Sequence, residues 1–253
     1  MQPIFITGIG TGIGKTLAAA IVTEAIGACY WKPVQAGFED GTDSEWVAAR
    51  ISRPEERVFP EAYKLIMPAS PHIAAREEGV VIDTDKVVRY FERLCGATAG
   101  RSRASPGDRL TSPSGASRGD RPTSPSAGGN ASGRVQPVVI EGAGGLLVPL
   151  NDHEFFPDLI RKLDATVLLV SRNYLGSINH SLLTANVCRN MGLHVAGWLF
   201  NDHYLHYEQE IAQWTGYPVI GSVPFTPDPD AAFIRSEAER LRPALLAALG
   251  VPA

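Results

Sequence analysis

The feature that most constrains the fold is a glycine-rich segment near the start of the sequence, between an apolar run and a helix-forming stretch. The run Pro3–Thr7 predicts a short buried strand, and Lys15–Ile26, rich in alanine, predicts a helix. Between them, Gly8–Gly14 has a glycine at every second position. Glycines there let consecutive backbone N–H groups surround an anion, and the positive end of the helix dipole points at the same place. The segment therefore predicts a phosphate-binding loop.

The two residues that follow the loop strengthen this prediction. A lysine at position 15 reaches the β- and γ-phosphates of a nucleotide, and the hydroxyl of Thr16 can ligate Mg²⁺. The spacing departs from the usual pattern, because Ile9 stands where a glycine is expected and the loop begins one residue earlier, at Gly8. The alternative is an ordinary glycine-rich turn. The coincidence of strand, loop and Gly-Lys-Thr favours nucleotide binding.

Apolar runs and helix-period stretches alternate along the rest of the chain. This order predicts an α/β fold with a mostly parallel central sheet covered by helices on both faces, and a ligand site at the carboxyl ends of the strands. The predicted strands are Tyr30–Val34, Pro137–Glu141, Ala165–Val170, His194–Phe200 and Pro218–Val223, and the predicted helices are Asp83–Leu94, Phe155–Leu163, Ile178–Met191, Tyr207–Trp214 and Pro229–Leu249.

One segment, residues 97–134, does not fit this alternation. It has no aromatic residue and one leucine, and it repeats Gly107–Ser114 imperfectly as Gly119–Ser126. Its six arginines and two aspartates give it a charge of +4, which leaves −8 on the remainder of a chain with net charge −4. We interpret it as a disordered low-complexity insertion within a single domain spanning residues 1–253. A basic tether for an acidic partner is the alternative to a tolerated insertion.

Composition excludes several classes of protein. A pI near 5.9 argues against nucleic-acid binding through bulk basicity, and no apolar run is long enough to cross a membrane. The first residues lack the basic region of a signal peptide, so we expect a cytoplasmic protein. The three cysteines have no spacing typical of zinc or redox sites, and we expect reduced thiols at Cys29, Cys95 and Cys188.

Several polar residues stand at the predicted strand ends. Lys32 lies among apolar residues and needs an anion if it is buried, although it could instead extend to solvent. Glu141 ends an apolar strand before Gly142-Ala-Gly-Gly145 and is a candidate Mg²⁺ ligand, or else a loop acid. Asp43 is a second candidate, with helix N-capping as the alternative. Asn201, followed by Asp202, offers a donor and an acceptor that match an adenine edge, with turn formation by Asn201-Asp202 as the alternative.

Two further loops carry weaker signals. Gly176 and Ser177 precede the helix Ile178–Met191, so the helix N-terminus is a possible second anion site, with Ser177 as the expected N-cap. The segment Ser70–His72 is expected in a loop because its prolines resist helix formation, and His72 is either a substrate contact or an ordinary polar residue. His203 and His206 lack partners at metal-ligand spacing and are interpreted as surface residues.

Together these motifs resemble the dethiobiotin synthetase family of P-loop NTPases over residues 3–95 and 136–225. The resemblance rests on the long loop ending in Gly14-Lys15-Thr16, on Lys32-Pro-Val34, and on Glu141-Gly-Ala-Gly-Gly145. It also rests on Ser70-Pro-His72, Leu175-Gly-Ser-Ile-Asn-His180 and Asn201-Asp202. The extra residue of the loop is a feature of that family.

The resemblance implies the three-layer P-loop NTPase fold and a reaction. In the family, CO₂ adds to one amine of 7,8-diaminononanoate (7,8-diaminopelargonate) as a carbamate, ATP phosphorylates it to a carbamic-phosphoric anhydride, and the second amine closes the ring of dethiobiotin, releasing phosphate. No Ser-His or Cys-His pair is needed, because the nucleophile belongs to the substrate. The family is a homodimer, with no nucleic acid or membrane partner implied.

The resemblance also implies roles for individual residues. Lys15 and Lys32 would be catalytic, and Thr16, Asp43 and Glu141 would bind Mg²⁺. The ATP site would comprise Gly12, Ile13, Gly14, Lys15, Thr16, Leu17, Asp43, Glu141, Gly142, Ala143, Gly144, Asn201 and Asp202. The substrate site would comprise Lys32, Ala36, Ser70 and, from the other subunit, Gly176, Ser177, Ile178 and Asn179.

Some positions depart from the family pattern. Ala36 and Ala69 stand where the family often has hydroxyls, and Gly12 stands where relatives are often acidic. These losses keep open an inactive paralogue that only binds ligands. A partner-switching P-loop ATPase is a rival interpretation, but it would place a signature lysine at Gly10. An amidating synthetase of cobalamin biosynthesis is a further rival, but it adds a glutaminase domain, for which the residues after Ser222 are too few.

Overall fold

Residues 2–101, 136–202 and 204–250 are described by this computed structural model, and strands and helices alternate along them. The strands are β1 (Ile4–Gly8), β2 (Cys29–Trp31), β3 (Val34–Ala36), β4 (Val58–Phe59), β5 (Tyr63–Leu65), β6 (Val138–Glu141), β7 (Thr166–Arg172), β8 (Val195–Asn201) and β9 (Val219–Val223). The helices are α1 (Lys15–Ile26), α2 (Asp43–Ala48), α3 (Pro54–Arg57), α4 (Pro71–Glu77), α5 (Thr84–Arg101), α6 (Phe156–Lys162), α7 (Ser177–Asn190), α8 (Glu208–Thr215) and α9 (Ala231–Ala248).

Seven of these strands form one parallel sheet in the order β4-β2-β6-β1-β7-β8-β9. Strand β1 lies in the middle, paired with β6 and β7, and the phosphate-loop segment leaves its carboxyl end. Because all seven strands run the same way, β6, β7 and β8 end at the same edge as β1. The predicted parallel sheet is confirmed, and its topology brings the strand-end residues of the sequence together.

Both faces of the sheet are covered. Successive side chains of β1 point to opposite sides, so Phe5 packs in one apolar cluster and Ile4 and Ile6 pack in the other. Helices α1, α2 and α9 contribute to the cluster around Ile4 and Ile6, and helices α4 to α8 contribute to the cluster around Phe5. The arrangement is the predicted helix–sheet–helix architecture.

The single strand predicted over Tyr30–Val34 is wrong, because the chain there forms two strands in different sheets. β2 ends at Trp31, and β3 pairs in parallel with β5 in a separate two-stranded sheet. Lys32 and Pro33 lie at the break. Proline has no N–H for a ladder, and the Pro33 carbonyl instead accepts from the backbone N–H groups of Ala62 and Tyr63. Both β4 and β5 were missed as too short for a periodicity signal.

The loop predicted at Ser70–His72 is also wrong, because Pro71 is the first residue of α4. The first turn of a helix leaves its N–H groups without helical partners, so proline is tolerated there. The helix predicted over Asp83–Leu94 is α5, which continues to Arg101. The segment 97–134 therefore begins in a helix, which its alanines favour, and residues 102–134 lie outside the described ranges.

The described ranges contain no helix that is both long and apolar enough to cross a membrane. All three cysteines are present as thiols, with Cys29 and Cys188 buried and Cys95 half-buried. His206 is exposed, as expected for a surface residue, and His203 lies outside the described residues.

Candidate active site

The phosphate loop connects β1 to α1 and adopts backbone angles that require glycine. Gly12 and Gly14 have φ of 70° and 89°, in the left-handed region. At Gly14 a Cβ would lie 2.0 Å from Nδ2 of Asn201, so the close approach of loop and β8 also demands glycine. Among the described residues no side chain caps the start of α1 and no acid occupies its first turn. The amides at this helix start are therefore oriented for an anion.

Lys15 folds back over this loop. Its Nζ donates a 2.6 Å hydrogen bond to the Gly10 carbonyl, and the residue is 7% exposed. Burial, opposed in part by the charge of Glu141 and reinforced by that of Lys32, lowers the pKa of Lys15 to about 8. Within the described ranges this buried ammonium has a carbonyl partner and no ion pair, and a phosphate group in the loop would supply a counter-anion.

Glu141, the last residue of β6, is the centre of the polar cluster. Its Oε1 accepts hydrogen bonds from Thr16 Oγ1 at 2.8 Å and from Lys32 Nζ at 3.0 Å. Its Oε2 accepts from the Tyr30 hydroxyl at 2.8 Å. Burial, and then the charge of Glu141, raise the pKa of Tyr30 well above its usual value, so this hydroxyl keeps its proton and donates. The alternative of a solvated loop acid is wrong, since Glu141 is 1% exposed.

Lys32 bridges two carboxylates at the break between β2 and β3. It forms ion pairs with Glu141 at 3.0 Å and with Asp43. Burial alone would lower the pKa of Lys32, but the charges of Glu141 and Asp43 and their hydrogen bonds outweigh it, so the pKa is raised. The alternative in which Lys32 extends to solvent is wrong, because the residue is 4% exposed.

Asp43 is the first residue of α2, and the alternative that it caps this helix is wrong. Thr42 is the N-cap: its Oγ1 accepts from the Glu45 N–H at 3.0 Å, and the Glu45 carboxylate accepts from the Thr42 N–H at 2.8 Å. This reciprocal capping satisfies the helix start without Asp43. The Asp43 carboxylate is left to face Lys32.

A cavity of about 710 Å³ opens between the phosphate loop and this cluster. It contains eleven of the predicted site residues, namely Gly12, Gly14, Lys15, Thr16, Lys32, Ala36, Asp43, Ser70, Glu141, Ala143 and Gly144. The nucleotide-side and substrate-side residues named from the sequence thus line one cavity. Its volume is in the range of small-molecule sites.

The wall that contains the predicted substrate residues Ala36 and Ser70 is formed by β3 and the start of α4. Ala36 ends β3 and contributes only a methyl group to the cavity. Ser70 precedes Pro71, and its hydroxyl lies 3.1 Å from Nδ1 of His72. His72 itself does not line this cavity within the described residues. This wall therefore offers the Ser70 hydroxyl and the Gln35 amide beside the apolar surface of Ala36, Pro68, Ala69 and Pro71.

Other predicted residues lie beside the cavity without lining it. Asn201, at the end of β8, donates from Nδ2 to the Ile13 carbonyl at 3.1 Å, so it contacts the phosphate loop directly. Asp202 has a left-handed backbone, with φ of 69°, and pairs with Arg172 at 3.1 Å. The turn and the adenine contact that the sequence predicts both involve Asn201 and Asp202. Leu17 and Gly142 belong to the flanking helix and loop.

The segment Gly176–Asn179 is not brought to the cavity within one chain. The N-cap of α7 is Gly176, with φ of 104°, and the prediction that Ser177 caps the helix is wrong. Ser177 is buried in the first turn, where its Oγ lies 2.7 Å from the Tyr207 hydroxyl. Packing against α8 therefore occupies the side chain that the sequence assigned to capping.

Sequence reasoning missed several contributors. Tyr30 was interpreted only as part of an apolar strand, and its contact with Glu141 was not foreseen. The alternation of a strand gave a usable signal, because Tyr30 and Lys32 are two residues apart and so share a face. The cavity wall also contains Thr11, Gln35, Pro68, Pro71 and Val148, which carried no motif.

Comparison with known proteins agrees with this geometry. A protein-family model described as an AAA domain matches residues 2–100 and 110–232. Among solved structures, the MinC:MinD cell division complex of Aquifex aeolicus superposes with a TM-score of 0.53 at 13% identity, covering 100% of this chain and 97% of that one. A ParA family ATPase from Chlorobium tepidum gives 0.51 at 12% identity, covering 99% and 100%. At such identities the likeness shows the P-loop NTPase fold alone.

Sequence relatives are more specific. The ATP-dependent dethiobiotin synthetase BioD of a Bradyrhizobium species is 38% identical over 228 residues, covering 90% of this chain and 89% of the relative. The protein of the same name from Cytophaga hutchinsonii is 39% identical over 221 residues, covering 87% of each. A third, from Rhodopseudomonas palustris, is 36% identical over 224 residues, covering 88% and 85%. The chain therefore belongs to the dethiobiotin synthetase family.

Proposed function

We propose that the chain catalyses the ATP- and Mg²⁺-dependent carboxylation of 7,8-diaminononanoate with CO₂, closing the ring of dethiobiotin and releasing ADP and phosphate. The reaction would serve biotin biosynthesis in the cytoplasm. The observation that carries the proposal is the convergence of Lys15, Lys32, Asp43 and Glu141 on one cavity beside a phosphate loop. The names of the sequence relatives support the same reaction.

The residues present fit a magnesium ion. Thr16 offers a hydroxyl, and Asp43 and Glu141 offer carboxylates, which are the hard oxygen ligands that Mg²⁺ takes. Thr16 Oγ1 and Glu141 Oε1 are 2.8 Å apart, and Lys32 lies against both carboxylates where a cation is already stabilised. Within the described ranges no group of three or more His, Cys, Asp or Glu side chains is poised for a metal. The ion would thus keep positions for water and phosphate oxygens and would neutralise developing charge.

For the nucleotide, the amides of Gly12–Leu17 would hold the phosphates, and Lys15 would move from the Gly10 carbonyl to the β- and γ-phosphate oxygens. Gly142, Ala143 and Gly144 would follow Glu141 along the triphosphate. Asn201 would bind the adenine edge with Asp202 beside it, since Asn201 already contacts the loop at Ile13.

Lys32 would be the principal catalytic side chain. It is protonated and held near the cavity, where it can offset negative charge on the carbamate and on the transferred phosphoryl group. Phosphoryl transfer depends on positioning and charge neutralisation more than on covalent help from the protein. The substrate's own amines then supply both nucleophiles, first toward CO₂ and then toward the carbamic-phosphoric anhydride.

The diamine would lie along Ala36 and Ser70, with its carboxylate at Gly176–Asn179 of a second subunit. The α7 start does not line the cavity of its own chain, so this placement of the diamine requires a homodimer with sites at the interface. No nucleic acid or membrane partner is needed for this chemistry.

The proposal is tested by incubating the purified chain with ATP, Mg²⁺, the diamine and ¹⁴C-bicarbonate. We expect acid-stable label in a cyclic urea, with one ADP formed per labelled product. Lys15→Met should abolish labelling, whereas Lys86→Met, an exposed lysine on α5, should not. Hydrolysis of ATP at an unchanged rate without the diamine would contradict the proposal and would favour a partner-switching ATPase.

A further inference from the structure

The hydroxyl of Tyr30 occupies an unusual place, buried beneath the candidate metal ligand Glu141. Tyr30 lies in β2 and is 0% exposed. The only hydrogen bond that its hydroxyl makes within the described residues is the one it donates to Glu141 Oε2 at 2.8 Å. Tyr30 does not line the cavity, whereas Glu141, Thr16 and Lys32 do. The Tyr30 hydroxyl therefore contacts the Glu141 carboxylate on the side that faces away from the cavity.

The two oxygens of Glu141 consequently have different surroundings. Oε1 contacts Thr16 and Lys32, which face the cavity. Oε2 accepts a hydrogen bond from the neutral hydroxyl of Tyr30, which opposes rotation of this oxygen toward the phosphate loop. Rotation of the carboxylate that brought both oxygens to one cation would break this hydrogen bond and leave the buried hydroxyl of Tyr30 without its acceptor, which costs free energy.

The different surroundings of the two Glu141 oxygens affect which metal ion this carboxylate suits. Mg²⁺ requires near-octahedral geometry with ligands at about 2.1 Å and takes carboxylates through one oxygen. Ca²⁺ accepts about six to eight ligands at longer distances and often takes both oxygens of a carboxylate. A glutamate held to one available oxygen therefore suits the smaller ion.

We propose that Tyr30 is a positioning residue that holds Glu141 to single-oxygen coordination and so makes the nucleotide site selective for Mg²⁺ over Ca²⁺. The inference rests on the proposed function, because it concerns the metal ion of that site. It assigns to Tyr30 a role in ion selectivity, separate from the packing of its ring in the core.

The test compares ADP binding to the full chain in EDTA, in saturating Mg²⁺ and in saturating Ca²⁺, by calorimetry. The gain in affinity over EDTA reports how well each ion is coordinated with the nucleotide. In Tyr30→Phe we expect the gain from Mg²⁺ to fall about tenfold, as is typical when a side chain that orients a metal ligand is removed. The gain from Ca²⁺ should be kept or increased, and ADP affinity in EDTA should be unchanged.

Tyr63→Phe is the matched control. It removes the hydroxyl of another buried tyrosine. This hydroxyl accepts a 3.0 Å hydrogen bond from the Asp83 N–H, and Tyr63 does not line the cavity. We expect its ratio of Mg²⁺ to Ca²⁺ gains to equal that of the unsubstituted chain. Tyr30→Leu, which also lacks the hydroxyl, should repeat the Tyr30→Phe ratio and serves if the first variant folds poorly.

Three results would overturn the inference. Equal loss of affinity in all three conditions would show that the hydroxyl only supports the fold. An unchanged ratio in both Tyr30 variants would show that Glu141 is oriented without it. If the unsubstituted chain bound ADP no better with Mg²⁺ than with EDTA, the proposed metal site itself would fail, which is distinguishable because no variant is involved.

Discussion

Two lysines in this protein each bridge two carboxylates, and the surroundings of the two clusters differ. Lys32 pairs with Asp43 and Glu141 at the edge of the sheet, where the Lys32 and Glu141 side chains are 5% and 1% exposed. Lys162 of α6 pairs with Asp85 at 2.5 Å and with Glu154 at 2.7 Å, and its side chain is 34% exposed. We refer to these as the buried cluster and the peripheral cluster.

The peripheral cluster is explained by its role in the fold. Glu154 also accepts hydrogen bonds from Thr84 and Asn151, so the cluster ties the loop before α6 to the start of α5 while water solvates its outer groups. The buried cluster takes no part in helix capping, because Thr42 and Glu45 cap α2 without it. A buried carboxylate and a buried ammonium that face a cavity, as Glu141 and Lys32 do, point to a cation and an anion that bind there. Ion pairs between similar residues can thus support the fold where they are exposed to solvent, and indicate a ligand site where they are buried beside a cavity.

The largest effect is expected from matched glutamine substitutions. Glu141→Gln keeps the size of the side chain and removes a metal ligand, so dethiobiotin formation should fall by about 1000-fold. Glu154→Gln, the same change in the peripheral cluster, should leave kcat within about twofold, since it lies away from the reacting atoms. Rates measured with saturating ATP, diamine and bicarbonate check both. Near-normal turnover of Glu141→Gln would show that the buried cluster, like the peripheral cluster, is not needed for the reaction.

Removing each lysine should separate the clusters by stability. Lys32→Met leaves two carboxylates without their buried cation, and we expect the free energy of unfolding to fall by about 3 kcal/mol in EDTA. Mg²⁺ should restore part of the loss by occupying the same place. Lys162→Met should cost about 1 kcal/mol, because solvent screens the remaining charges, and should not respond to Mg²⁺. Urea titrations with and without Mg²⁺ measure all four values, and equal losses would contradict the comparison.

The stability contributed by the peripheral cluster should depend on pH. Burial alone would raise the pKa of Glu154, but hydrogen bonds from Lys162, Asn151 and Thr84 outweigh it and lower the pKa from 4.5 to about 2. A lowered pKa stabilises the folded state above pH 4.5, and this contribution is lost as the pH falls through about 2. The stability gap of about 1 kcal/mol between the unsubstituted chain and Glu154→Gln at pH 7 should therefore close between these values. A gap that stays constant would show that packing, and not charge, is lost.

The smallest effect is expected from removing residues 102–134, which follow the helix that carries Thr84 and Asp85. The sequence predicts a tolerated insertion there, so replacing these residues with a flexible linker of about ten glycine and serine residues should change kcat/KM less than about twofold. A folded but inactive deletion would instead support the alternative of a basic tether with a role in activity.

Much of the fold follows from local sequence patterns. The continuous apolar runs located the main strands, and the glycine loop with Lys15 at the helix start correctly predicted the connection from β1 to α1 beside the cavity. The two prolines lie in structures that the sequence did not predict. Pro33 lies at a break between two sheets where one strand was expected, and Pro71 begins a helix where a loop was expected. A proline signals a constraint on the backbone, and only the tertiary partners decide which structure satisfies it.

The site was predictable where chemistry and strand ends coincide, as at Lys32 and Glu141. It was not predictable where the partner is remote in sequence. Tyr30 and Glu141 are separated by 111 positions, and their contact exists only because β2 and β6 are neighbours. Ser177 looked like a cap from its sequence, but packing against Tyr207 gave it another partner.

A crystal structure with Mg²⁺ and a non-hydrolysable ATP analogue would show whether the buried cluster is a magnesium–nucleotide site. We expect a metal ion about 2.1 Å from Thr16 Oγ1 and Glu141 Oε1, with the Lys32 ammonium turned toward the γ-phosphate. A triphosphate bound elsewhere, or Lys32 still joining Asp43 to Glu141 beside an occupied loop, would contradict it.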